Sequence, residues 1–345
     1  MPARSPTNSA DPGRVRAFHR SVLPRRWAGS RSVSPGVGGR ALAGAAVALV
    51  LIFLLACSGT ALARSVSIGH GRTMYLECRG HGGPTVVLIS GVNDRADIWD
   101  TAALVGHPGP AVLPATARFT RVCAYDRPGT STGANDEDPA SPGTEASRST
   151  PVPQPVTPRD GARDLNALLK AARLPGPYIL VGHSYGGAIA QVYGSEHPGN
   201  VAGLVLVDSL SEGVGRGLTP EQLTILEELN APPAGAPADT EAFRFQAAFA
   251  QLRRAKPTRP PTIVLSADHS QLTPELIASG ALPPGVDQAF ADAAWRAQIA
   301  AQNALAKRYP GAQHITHTNS THYIHTIRPR LVTRAIRSIT NQTRR

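Results

Sequence analysis

The sequence predicts an α/β domain built on a mostly parallel sheet. Three observations carry that expectation. From residue 65 onward, short apolar runs alternate with stretches of helical spacing. The runs "VVLIS", "YILVG", "LVLVD" and "TIVLS" are continuous rather than alternating, as in strands buried on both faces. One of them leads through Gly182-His183-Ser184-Tyr185-Gly186 into a helical pattern, so a serine stands between two glycines where a buried strand meets a helix.

Taken in order, strands are expected at residues 74–78, 85–90, 121–125, 178–182, 204–207 and 262–266, with a last one near 314–318. Helices are expected at 160–172, 185–196 and 329–340. Two stretches break this rhythm. Residues 133–158 hold six prolines and little that is apolar, and read as a long flexible loop. Residues 209–261 sit between two core strands. They carry Leu223, Leu226 and Leu229, then Phe245, Phe249 and Leu252, and read either as an inserted helical cap over a pocket or as a surface excursion packed on the body.

The charge is unevenly placed. Of the formal net charge of +11, residues 1–40 supply +7 through eight Arg and one Asp, and residues 64–345 supply +4. No basic stripe interleaved with aromatics occurs, so no nucleic-acid partner is expected. Residues 1–40 read as a disordered, Arg-rich cytoplasmic leader. Residues 41–63 carry no charge for 23 positions, long enough to cross a bilayer. Behind an Arg-rich leader, such a segment places the remainder, 65–345, outside the cytoplasm. Three fates stay open for it: cleavage after Ala61-Leu62-Ala63, lipidation at Cys57 within "LLAC", or retention as a membrane anchor. Cys78 and Cys123 would then lie where disulfides persist.

The strand, Gly-x-Ser-x-Gly, helix order is the nucleophile-elbow pattern. A turn this tight needs small neighbours, which Gly182 and Gly186 supply. The hydroxyl of Ser184 would stand exposed at the strand end, and the Tyr185 N–H would point to where an oxyanion forms. A serine hydroxyl needs a base within hydrogen-bond reach. A histidine is the expected base, and His183, beside Ser184, is expected to pack at the elbow instead. His314 and His317 differ by three, so on a strand they point to opposite faces, and no carboxylate or thiol completes a ligand set. No metal and no cofactor are expected.

On these motifs the chain resembles the α/β-hydrolase superfamily, over roughly residues 70–342. "VVLISGVNDRADIWD" is similar to the family's strand and oxyanion loop, with Ser90 where a His is usual and Gly91 kept. The match implies that Val92 gives the second oxyanion N–H. "VCAYDRPGTSTG" is similar to the family's Asp-Arg-x-Gly turn and implies structural roles for Asp126, Arg127 and Gly129. "NSTHYIHTIRPRLVTRAI" is similar to the terminal segment that carries the catalytic His, and places His322 on it. The resemblance implies an α/β-hydrolase fold, a sheet of about eight strands flanked by helices, with a small helical cap. It makes the strands of Cys78 and Cys123 neighbours, within disulfide range.

The acid that should hold the imidazole has two candidates. Asp268 in "SADHSQLTP" lies two residues before the usual family position, and Asp208 ends the preceding strand in "LVLVDS". Either keeps the order Ser, acid, His. The expected function is an exported serine hydrolase that cleaves a small-molecule ester or amide through an acyl-enzyme. Two non-catalytic readings compete with it. One is a ligand-binding protein on the same scaffold, and the other a cell-envelope interaction protein that uses the loop 133–158.

Overall fold

The computed structural model describes residues 62–101, 109–135 and 138–344. The leader, the segment 41–61 and Cys57 lie outside the described residues. In chain order, the strands are β1 (Leu62–Gly69), β2 (Arg72–Arg79), β3 (Val86–Ile89), β4 (Val122–Tyr125), β5 (Ser131–Asn135), β6 (Asp138–Ala146), β7 (Tyr178–His183), β8 (Val201–Val207), β9 (Thr262–Leu265) and β10 (Gln313–Ile315). The helices are α1 (Val112–Ala117), α2 (Pro158–Ala171), α3 (Ser184–Glu196), α4 (Pro220–Leu229), α5 (Phe245–Arg254), α6 (Pro274–Ala278), α7 (Gln288–Arg308), α8 (Ile324–Ile327) and α9 (Pro329–Thr343).

Eight strands form one sheet in the order β1-β2-β4-β3-β7-β8-β9-β10. The hairpin β1–β2 and the pair β2–β4 are antiparallel, and every other pairing in this sheet is parallel. The continuous apolar runs have a simple cause. Val87, Ile89, Leu180, Leu204 and Leu206 face one core, while Val86, Leu88, Ile179, Val181, Val205 and Val207 face the other. Each strand alternates between two buried faces, so no position can be polar. Helix α2 covers the first face with Ala162, Leu165, Leu168 and Leu169. Its start is fixed by a Thr157–Asp160 capping box and by Pro158 in the first turn. Helix α9 covers the second face with Val332, Ala335, Ile336 and Ile339, an i, i+3, i+4, i+7 stripe.

Three features differ from the sequence-based expectation. Leu62 and Ala63, read as the end of the apolar segment, form the first rungs of β1 and pair with Cys78 and Glu77. This strand was not expected because it lies at the sheet edge and is mostly exposed, so its pattern is polar. Within the stretch 133–158, read as a flexible loop, β5 and β6 form a two-stranded ribbon, with Gly133 opposite Pro142. Prolines fit there because a two-stranded ribbon leaves one edge of each strand unpaired. The remainder of the stretch is tied down by Arg148, which donates to both oxygens of Asp126, and by Ser149, which accepts from Tyr75 N–H.

The third difference concerns the cap. Residues 209–261 carry α4 and α5, but α7, which follows β9, also walls the cavity described below. Helix α7 is built largely from alanine, so its buried face shows few large apolar residues in sequence. Asp287 caps it by accepting from Phe290 N–H at 2.8 Å.

The β2–β4 register places Cys78 opposite Cys123, and the two are joined by a disulfide across 45 residues of chain. Replacing both with Ala is expected to lower stability by about 2–4 kcal/mol. Urea unfolding without reductant reads this, and an unchanged midpoint would show that the bridge contributes nothing.

Candidate active site

Ser184 begins α3 directly after β7, at φ 50°. That left-handed conformation is rare for a side-chain-bearing residue and marks the sharp strand-to-helix turn. The turn survives because its neighbours have no Cβ. A methyl on Gly182 would lie 2.6 Å from the Gly186 carbonyl oxygen, and one on Gly186 would run into the carbonyls of Ile89 and Ser90. Leu210 N–H donates to the Ser184 carbonyl at 2.9 Å, tying the elbow to the chain that leaves β8.

Asp208 follows β8, also at positive φ (39°), and is buried. Its Oδ2 accepts from His322 Nδ1 at 2.6 Å, and its Oδ1 accepts from Ala267 N–H at 3.1 Å. A carboxylate only accepts, so Nδ1 carries a proton; in the neutral ring this leaves the lone pair on Nε2, the form a general base requires. Ser184, Asp208 and His322 line one cavity.

Asp268 is placed elsewhere. Its carboxylate accepts from Ser320 N–H (2.8 Å), Asn319 N–H (2.9 Å) and Thr318 Oγ1 (3.2 Å). Partial burial pushes this carboxyl up, but the donors from Ser320 and Asn319 outweigh it and hold it below the usual range. The structure therefore brings Asp208, and not Asp268, to His322. Asp268 instead clamps the loop that carries His322.

Tyr185 follows Ser184 in the first turn of α3, and Val92 follows Gly91 in the loop after β3. Among the described residues, neither backbone N–H donates to a protein acceptor. The Val92 loop is held from beneath by Arg127. Its guanidinium donates to the carbonyls of Ser90 (2.8 Å) and Gly91 and makes a two-pronged pair with Glu241. Glu241 in turn accepts from Asn93 N–H at 2.8 Å. Arg127 and Glu241 are both buried. Gly129, at φ 81°, lets the residues around Glu241 approach; a Cβ there would strike the Asp239 carbonyl. Ser90, standing where a His is usual, bridges the Trp99 Nε1–H donor to the Arg95 carbonyl. Glu241 carried no sequence signal, because nothing local distinguishes a carboxylate destined for burial.

The cavity over Ser184 and His322 measures about 150 Å³. Leu218, Leu226 and Phe245 wall it from the cap, and Phe290, Ala294 and Trp295 wall it from α7. Among the described residues, no group of three or more His, Cys, Asp or Glu is placed to hold a metal ion. His314 Nε2 contacts Ser266 Oγ at 2.8 Å, and His325 is buried, its rings packed on Trp99 and His183.

A parallel sheet with an antiparallel edge, a serine elbow after its fifth strand in order, and a histidine before the last helix define a class of protein. Residues 86–340 match the Alpha/beta hydrolase family, and the chain belongs to it. Est816, titled an N-acyl homoserine lactone degrading enzyme, superposes with a TM-score of 0.53 at 18% identity, over 80% of this chain and 99% of that one. A thermophilic esterase from Thermogutta terrifontis gives 0.51 at 18%, over 82% and 99%. The haloalkane dehalogenase DatA from Agrobacterium tumefaciens gives 0.51 at 15%, over 82% and 97%. At these identities the likeness is one of fold. An uncharacterized protein of Schizosaccharomyces pombe is 33% identical over 98 residues, and the match spans 28% of this chain and 15% of that protein.

The Arg127–Glu241 pair gives a direct test of how the oxyanion loop is held. Arg127→Met is expected to cost about 3–5 kcal/mol, because it leaves a buried carboxylate unpaired. Pairing it with Glu241→Met should cost less than the sum of the single changes. Denaturant titration of the four proteins measures this, and strict additivity would mean the two groups do not support one another.

Proposed function

We propose that the chain is an exported serine hydrolase that cleaves an ester by acyl transfer. Ser184 attacks the carbonyl carbon, and His322 Nε2 takes its proton. The Tyr185 and Val92 N–H groups receive the oxyanion as the tetrahedral intermediate forms. The intermediate collapses, and His322 returns the proton to the departing alcohol. Water, deprotonated by His322, then releases the acyl group and regenerates Ser184. Asp208 holds the Nδ1–H tautomer and stabilises the imidazolium. The observation that carries this reading is the 2.6 Å contact of Asp208 with His322 Nδ1, beside a serine at positive φ. A dehalogenase-type reaction would need a carboxylate at position 184.

The apolar walls favour an uncharged acyl or alcohol group. Asn230, Gln271 and Gln298 add polar groups to these walls, and the cavity opens to solvent, so a longer group can extend out of it. Export rests on the uncharged segment 41–63 and on the Cys78–Cys123 bridge. Among the described residues, no helix is long and apolar enough to cross a membrane. Because Leu62 and Ala63 pair in β1, membrane attachment would run through 41–61, retained or lipidated at Cys57.

The test is labelling of residues 62–345 with a fluorophosphonate probe. Wild type should label, while Ser184→Ala and His322→Ala should not. Asp208→Asn should lower ester turnover by about 10⁴-fold, and Asp268→Asn far less. Folded wild type that does not label would overturn the hydrolase reading in favour of a ligand-binding protein. Across p-nitrophenyl esters, Ala294→Trp should lower kcat/KM more for long acyl chains than for acetate, and an equal effect on all chains would refute the assignment of the cavity.

A further inference from the structure

Behind Gly91 of the oxyanion loop lies a buried polar pair that the reaction above does not use. Asp94 is 5% exposed and His183 1% exposed. Among the described residues, neither Asp94 Oδ2 nor His183 Nδ1 has a hydrogen-bond partner. These two atoms face one another at 4.0 Å. A methyl on Gly91 would stand 2.8 Å from His183 Nδ1 and 2.9 Å from Asp94 Oδ2, so glycine is what keeps the space between them open.

The tautomer of His183 decides what Asp94 must be. His183 Nε2 lies 3.1 Å from the carbonyl oxygen of His322. A carbonyl only accepts, so Nε2 carries the proton. Burial holds the His183 ring neutral, and the neighbouring His325 and His322 act in the same direction. A neutral ring protonated at Nε2 has a lone pair at Nδ1, and that lone pair faces Asp94. An ionised carboxylate would set two acceptors against each other in a space without water's screening. A protonated carboxyl would set a donor against an acceptor.

We infer that Asp94 is a buried neutral carboxylic acid whose proton faces His183 Nδ1, and that this pair positions the oxyanion loop against the loop carrying His322. Closing the gap to hydrogen-bond length needs about 1 Å of side-chain movement. The connection runs from Asp94, through the His183 ring, to the backbone of His322. It joins the two loops whose spacing an acyl-transfer reaction depends on. Five other ionisable groups surround the pair: Arg127 after β4, Glu241 from the cap, His322, Tyr323, and His325 in α8. Burial raises the Asp94 carboxyl, Arg127 and His322 pull it back, and Glu241 raises it again, leaving it at about 7. The positioning half of the inference rests on the hydrolase reading; the protonation half does not.

The first measurement is a ¹³C NMR titration of Asp γ-carboxyl groups in residues 62–345, in wild type and in Ser184→Ala. A buried Asp94 resonance that titrates near neutral pH is expected in both. An Asp94 that titrates below about pH 5 overturns the inference, including the alternative of an ionised Asp94 beside a charged His183. Because Ser184→Ala gives the same titration, a failed hydrolase reading leaves this result standing.

The second measurement is stability against pH for wild type and Asp94→Asn, whose amide also donates but does not titrate. The folded carboxyl lies above its unfolded value of about 3.9, so the native state holds an extra proton between about pH 4 and pH 7. Wild-type Tm relative to Asp94→Asn should therefore fall as pH rises through that window and level off above it. A constant difference overturns the inference. If Asp94→Asn does not fold, the wild-type titration still decides. For positioning, kcat/KM of wild type relative to Asp94→Asn should fall between about pH 6 and pH 8. A constant ratio refutes the positioning role.

Discussion

The site depends on one buried ion pair. Arg127 belongs to the sheet body and Glu241 to the cap, and between them they hold the carbonyls of Ser90 and Gly91 and the N–H of Asn93. Three separate stretches of chain thus meet in one network. Two charges in a dry interior are costly to place, and that cost is offset only when every donor and acceptor is used. Here the guanidinium reaches both Glu241 oxygens and two backbone carbonyls, so the loop that carries Val92 has little freedom. The pair makes the cap part of the support of the loop after β3.

A second constraint comes from the sheet. Its central strands are apolar on both faces, so polar chemistry can only gather beyond their carboxyl ends. Ser184 after β7, Asp208 after β8 and Asp268 after β9 all stand there; the first two use a backbone conformation rare for residues with side chains, and the third a dense set of donors. Positive φ at Ser184 and Asp208 is strain kept by the packing around them. Asp268 shows the other use of a strand-end carboxylate: it accepts three hydrogen bonds from residues 318–320 and so fixes where His322 stands.

The neighbouring proteins of known structure include an esterase, a lactone-degrading enzyme and a dehalogenase, at 18% identity or less. They share the scaffold and differ in what they act on. What is local to this chain includes the apolar walls contributed by α4, α5 and α7, which come from two separate stretches, one on either side of β9.

The fold class, the elbow and the histidine were legible from sequence because each leaves a local mark. Double burial writes continuous apolar runs, a tight turn demands glycine on both sides of one serine, and a histidine precedes an amphipathic last helix. The edge strand β1 and the alanine-rich α7 were not legible, since exposure and small side chains erase the period that would reveal them. Nor was the choice between Asp208 and Asp268, since each is an Asp after a buried strand. Only the folded chain decided it, by bringing the end of β8 within 2.6 Å of His322 Nδ1 while directing Asp268 at the backbone three residues before it. The same holds for Glu241 and Asp94. A buried carboxylate is defined by the partners around it, and those partners come from parts of the chain that sequence order keeps far apart.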